Sequence, residues 1–174
     1  MSRLLMRRFQ NISKTLNKEL TEKFPNIDSA TYSAAHKVEG FTYLAVSVFE
    51  QWLGKDDYHF LENVSDEEDR KRTSKLNLLS EKLIEITRVY TYRFKGKNAD
   101  RVAFKEFRSR ELLKHYCSGT NDEYFKIAIP EYECIYLGSE DYTNIIYYRN
   151  IDKLNEFLDL ISACGLYTIE HWEQ

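Results

Sequence analysis

Apolar residues recur at helical spacing from the start of the chain. Leu5, Phe9, Ile12, Leu16, Leu20 and Phe24 are separated by steps of three or four, the stripe of a core-facing helix. This predicts a first helix over 2–24, ended by Pro25-Asn26. Ala34, Val38, Phe41, Ala45, Val48 and Trp52 alternate the same steps, and Leu44 and Phe49 widen the stripe. The spacing predicts a second helix, the most buried of the set, with Asp28 or Ser29 as cap. Gly40 falls inside it, where a close helix crossing would account for a residue of low helix propensity. Ser65-Asp-Glu-Glu68 has the form of a capping box, in which Ser65 accepts from the backbone and Glu68 reaches back. It opens a third helix carrying Leu76, Leu79, Leu83, Ile86 and Tyr90. Asn98 can cap a fourth over 99–116, with Ala103, Phe107, Leu112, Leu113 and Tyr116 inward. Tyr90, Tyr92 and Phe94 alternate as in a strand, so a β-hairpin over 88–108 competes with that fourth helix.

The pattern changes at Ser118-Gly-Thr-Asn121. Residues 125–129 and 133–137 read as strands, and Gly138-Ser-Glu-Asp141 as a turn. Thr143–Tyr148 is apolar or aromatic on both faces, as in an interior strand. Asn150 can cap a helix with Ile151, Leu154, Phe157, Leu158 and Ile161 inward, and Gly165 fits just past its end. A last strand covers 166–169. Strands 143–148 and 166–169, joined by a helix, fit a parallel crossover. The expected fold is α+β in one domain: an N-terminal helical layer of three to four helices (1–117) packed with a C-terminal β-β-β-α-β sheet unit (118–174).

Composition narrows the class. With 174 residues, 43% of them hydrophobic and 30% charged, 6 glycines and 2 prolines, the chain is neither disordered nor fibrous. It is long enough to bury a core without a metal or disulfide staple. Three cysteines, Cys117, Cys134 and Cys164, do not make a disulfide framework, and a reducing cytoplasm is expected. No apolar run reaches the length of a membrane span. The acid-poor N-terminus has the character of an amphipathic targeting helix, but its stripe also suits a core helix.

Charge is segregated along the chain. Residues 1–25 hold six bases and two acids, 26–69 two and ten, 70–114 fourteen and five, and 115–174 three and eleven. Either these blocks face and neutralise each other, or they form separate surfaces for partners of opposite sign. In the basic block Arg88, Tyr92, Arg93, Lys95, Lys97, Arg101 and Arg108 mix cations with an aromatic, the composition of a nucleic-acid-binding segment. The pI of about 5.9 is far below that of a dedicated nucleic-acid domain, and Tyr90, Phe104 and Phe107 at helical spacing suit a core. The acidic C-terminal block is rich in tyrosine. Tyr132, Glu133, Glu140, Asp141 and Tyr142 form the candidate partner-binding set, because tyrosines give rigid contact area and carboxylates steer a basic partner.

Catalytic signatures are weak. His36/Glu39 and His59/Glu62 have a spacing that places two metal ligands on one helix face, although satisfied or solvated histidines explain them as well. His115 and Cys117 lie on different faces of a helix, and a semi-buried thiol is the simpler reading, even with Lys114 nearby to lower its pKa. No phosphate-binding loop, nucleophile elbow or paired-cysteine zinc motif is present. No cofactor or metal is therefore expected. The expected function is a non-enzymatic protein-binding module of the immunity or inhibitor type, occluding a basic partner through an acidic, tyrosine-rich surface. The alternatives are a nucleic-acid-binding protein using 88–110 and a metal-dependent enzyme.

Overall fold

A computed structural model describes residues 8–33, 36–97, 101–118 and 124–170. Its elements in chain order are β1 (Phe9–Asn11), α1 (Lys14–Lys23), α2 (Ile27–Tyr32), β2 (Thr42–Ser47), α3 (Asp66–Ile86), β3 (Thr91–Lys95), β4 (Arg101–Phe107), α4 (Arg110–Cys117), β5 (Lys126–Ile129), β6 (Cys134–Leu137), β7 (Thr143–Tyr148), α5 (Asn155–Ala163) and β8 (Tyr167–Glu170). Short 3-10 helices at Lys55–Phe60 and Ile151–Leu154 precede α3 and α5.

The strands form two antiparallel sheets, ordered β1-β4-β3 and β5-β6-β7-β2-β8. Among the described residues one bridge joins them: the Tyr90 N–H donates to the Ala128 carbonyl at 3.0 Å, and the Ala128 N–H returns the bond at 2.7 Å. Helices cover both faces. On one, Leu79, Leu83 and Ile84 of α3, Leu113 and Tyr116 of α4, and Phe157 and Ile161 of α5 pack on Leu44, Val46, Ile127, Tyr136 and Ile146. On the other, Leu20 and Phe24 beside α1's end and Ile27 and Ala30 of α2 pack on Tyr43, Ala45, Tyr92, Phe104, Ile135 and Tyr147. Among the described residues no helix is long and apolar enough to cross a membrane.

The fold is mixed α+β, but its N-terminal part is not a purely helical layer. The expected second helix does not form over residues 36–52, and Ala34 lies outside the described residues: β2 occupies Thr42–Ser47, hydrogen-bonded to β7 on one side and β8 on the other. Leu44 and Val46 face one core and Tyr43 and Ala45 the other, so its apolar run fits a two-sided strand as well as a wide helical stripe. Gly40 precedes it with φ of +78° in a turn, not at a helix crossing. The first helix is shorter than 2–24, because Phe9 lies in β1 and Ser13 caps α1 by accepting the Leu16 N–H; Leu5 lies outside the described residues. The competing hairpin over 88–108 is the observed one, with β3 and β4 paired from Thr91↔Lys105 to Lys95↔Arg101. The fourth helix shrinks to α4, capped by Ser109, whose hydroxyl accepts the Leu112 N–H. β7 and β8 run parallel to each other as the crossover reading has it, but β2 lies between them.

Candidate functional site

The connection from β2 to α3 and the turn from β6 to β7 stand on either side of a cleft of about 410 Å³. Its floor is the sheet: Ser47 of β2, Thr143, Ile145 and Tyr147 of β7, and Ile169 of β8. Phe49, Trp52, Leu53, Tyr58 and Leu61 form one wall. Gly138, Ser139, Glu140 and Asp141 form the other, and Thr31 of α2 closes an end. Among the described residues the lining holds two carboxylates and no Lys, Arg or His.

Each wall is fixed by named contacts. The Trp52 indole N–H donates to the Glu170 carbonyl at 2.9 Å, and the Phe49 N–H donates to Ser47 Oγ at 3.1 Å. The Gly54 N–H donates to the Asp57 carboxylate at 2.9 Å. Opposite, the Ser139 N–H donates to Asn144 Oδ1 at 3.2 Å, and Asn144 donates to the Tyr136 hydroxyl at 2.8 Å. The Tyr124 hydroxyl donates to Glu140 Oε1 at 2.7 Å, and this bond is the largest cause of the raised Tyr124 pKa.

Arg72 of α3 ties the two walls together. Its Nη1 donates to the Phe60 carbonyl at 2.7 Å and its Nε to Glu68 Oε1 at 2.8 Å. Its guanidinium lies 5.2 Å from the Phe49 ring and 5.1 Å from the Tyr142 ring. The Tyr142 hydroxyl in turn donates to Asp69 Oδ1 at 2.8 Å. Ser65 caps α3 as expected, but the Glu68 carboxylate pairs with Arg72 and Lys71. The hydrogen bond from Arg72 is the main reason the Glu68 pKa lies below the ordinary carboxylate value.

The partner-binding candidates do not sit together. Glu140 and Asp141 are exposed at the cleft rim. Tyr142 is half-buried against α3 and acts on the wall behind them. Tyr132 and Glu133 lie at the opposite end of β6. Tyr132 is a core ring, 3% exposed, stacked on Phe157, with its hydroxyl on Glu156 at 2.7 Å. Glu133 receives Lys153 at 3.1 Å and Lys23 at 3.9 Å.

The basic candidates also divide. Arg93, Lys95 and Arg101 are exposed on β3 and β4, with Lys97 exposed just beyond β3. Arg88 is exposed in the α3–β3 connection and Arg108 after β4. Tyr92 is fully buried and shares a hydrogen bond with the Thr31 hydroxyl at 2.8 Å, so it offers no stacking face.

His36 lies in an irregular segment rather than on a helix. His59 lies on the 3-10 helix, its Nδ1 on the Asp56 carbonyl and its ring against Phe60. Among the described residues no three His, Cys, Asp or Glu side chains form a metal-binding group. Cys117 is buried, which pushes its thiol pKa up to about 12, while Lys114 turns to Glu81 and Glu85.

Phe49 and Trp52 fall on the expected second helix and Tyr58 outside every predicted element, so none of the three is a candidate from the sequence. The signal that could have found them is a long aromatic-bearing connection, a feature that tends to be functional. No family model, curated protein or solved structure matches the chain.

Proposed function

We propose that the protein is a non-enzymatic binding module that occludes a basic protein partner through this cleft, in the manner of small immunity and inhibitor proteins. The observation that carries the reading is the combination of Glu140 and Asp141 on the rim with Phe49, Trp52 and Tyr58 in the wall and, among the described residues, no cation in the lining. Lysine and arginine side chains of a partner would find carboxylates at the entrance and aromatic faces inside. Such charges act mainly on encounter, and buried aromatic anchors on residence time. Occlusion needs shape and charge, not a nucleophile or a metal. A reducing compartment such as the cytoplasm suits the three buried free thiols, Cys117, Cys134 and Cys164.

The test compares wild type with Glu140→Lys/Asp141→Lys and with Tyr58→Ala. Partners are captured from a lysate, and the basic protein retained by wild type is purified for kinetics. The charge-reversed variant should associate more slowly and with weaker salt dependence. Tyr58, 53% exposed in the free protein, should act as an anchor, and its truncation should speed dissociation by ~2 kcal/mol or more. Equal affinity of all three proteins for that partner would sink the reading.

A further inference from the structure

The sheet β1-β4-β3 has two unlike faces. Tyr92, Phe94 and Phe104 belong to the face packed by α1 and α2. The register sets Thr91, Arg93 and Lys95 opposite Lys105, Ala103 and Arg101, and residues paired in this way share a face. Half of this second face is covered, where Phe9 and Phe107 pack on Tyr116 of α4 and Thr91 shares a hydrogen bond with the Tyr116 hydroxyl. The other half carries Arg93, Lys95 and Arg101, all exposed, beside Lys105, which donates to Asn11 Oδ1 at 3.1 Å.

Lys95 and Arg101 stand directly across the ladder from each other, a like-charge arrangement that destabilises a sheet. Among the described residues none of Arg93, Lys95 and Arg101 is in an ion pair. The internal contact made by Arg93 is with the Phe9 ring, 5.4 Å away. An anion bound across this face would relieve the repulsion.

We propose that this face binds the phosphodiester backbone of duplex nucleic acid without reading its sequence. Alternate residues of a strand lie ~6.7 Å apart and paired ones ~5 Å apart, so the cations form a flat array. A duplex carries one charge per ~1.7 Å of its axis, dense enough to meet all of them at once. A single strand gains little here, because stacking requires an open aromatic face, and the Phe9 ring lies under Arg93 while Tyr92 and Phe104 are buried. The rim carboxylates Glu140 and Asp141 stand in the turn from β6 to β7, two to three strands from β3 in the strand order. At ~4.8 Å per strand that is ~10–14 Å, beyond the Debye length of ~8 Å at physiological salt.

The experiment is a salt series of fluorescence anisotropy with a labelled random-sequence DNA duplex. Wild type should bind with a log–log salt slope of about −3 to −4. Arg93→Glu/Lys95→Glu/Arg101→Glu should bind at least about tenfold more weakly, its slope flattened by about 3. Lys95→Glu alone should weaken binding yet raise the unfolding midpoint, since it sets opposite charges across the ladder; this variant decides the matter if the triple variant does not fold. Glu140→Lys/Asp141→Lys removes two carboxylates and adds two cations, so it should bind duplex no more weakly than wild type, which separates this surface from the cleft. No duplex binding by wild type at low salt, or binding unchanged in Lys95→Glu and the triple variant, would overturn the proposal. So would retention on phosphatidylserine vesicles without retention of duplex.

Discussion

Asp141 and Tyr142 are consecutive residues in the left-handed region, with φ of 57° and 55°. Side-chain residues rarely adopt it, so the turn relies on its surroundings. The Thr143 N–H donates to the Glu140 carbonyl at 3.0 Å, and the Val48 N–H donates to the Tyr142 carbonyl at 3.3 Å. Gly138 opens the turn where its N–H donates to the Phe125 carbonyl at 2.9 Å. A Cβ there would lie 2.7 Å from Phe125 Cδ1 and 3.2 Å from the Phe125 backbone nitrogen. The Phe125 ring has little freedom, being buried and 5.1 Å from the Tyr136 ring. Gly138→Ala is therefore expected to lower stability by about 1–3 kcal/mol in urea unfolding. An unchanged midpoint would mean that the ring yields without loss.

At the scale of elements, α3 does more than cover the sheet. Its buried stripe, Leu79, Leu83 and Ile84, anchors the C-terminal half. Its N-terminal half holds the cleft walls through Arg72 and Asp69. Lysine cannot replace Arg72, because it lacks the planar fork that bonds Glu68 and the Phe60 carbonyl at once while lying between two rings. Arg72→Ala should reduce stability by ~1.5–3 kcal/mol, the range for hydrogen bonds to charged groups. Amide exchange should accelerate in both 48–61 and 138–142, and Arg72→Lys should restore only part of the protection. Protection retained in either segment would show that the walls are held independently. Because Glu68 has a depressed pKa, its pairing stabilises the fold above the ordinary carboxylate range. That contribution is lost as pH falls through the folded value, and it should be missing from the acid limb of Arg72→Ala.

The described part of the molecule keeps its charges on separate surfaces, with the cations of β3 and β4 at one end of the strand order and the cleft carboxylates two to three strands away in the turn from β6 to β7. The ion pairs that link blocks join Lys23 to Glu133 and Arg72 and Lys71 to Glu68, and leave those surfaces in place. Between them lies a core rich in ionisable groups held neutral. Burial raises the pKa of Tyr92, Tyr136 and Cys134, and burial with the Glu156 hydrogen bond raises that of Tyr132. Cys117 is pushed up to about 12. In the unfolded chain thiols ionise near ~8.5 and phenols near ~10. Above those values the unfolded state holds fewer protons than the folded one, so stability falls as pH rises. It should be fully present below about pH 8.5 and decline through pH 10 and beyond. In a spectrophotometric titration these three tyrosines should ionise only with cooperative unfolding. Their smooth titration in a folded chain would contradict the packing.

Local signals determined part of this molecule. Ser65 before α3, Asn150 before the 3-10 turn leading into α5, and Gly165 past its end, with φ of +70°, act over a few residues. They were legible because capping is a short-range hydrogen-bond requirement. Strands β5 and β6 were legible from alternation and turn residues, β7 from a short apolar and aromatic run set between a turn and a cap, and the segregation of charge from the residue order. The sequence alone also placed Glu140 and Asp141 in an accessible turn. Only the tertiary structure decided that 42–47 is a strand, because a segment buried on both faces loses the alternation that distinguishes it from a helix. Only the tertiary structure sent Tyr132 into the core and Glu133 to Lys153 while leaving Glu140 and Asp141 on a rim, since the two pairs stand at opposite ends of β6. It also supplied the aromatic wall across from that rim, and it set Lys95 against Arg101. Those two choices depend on ladder register and on packing between segments far apart in the chain, which no local pattern encodes.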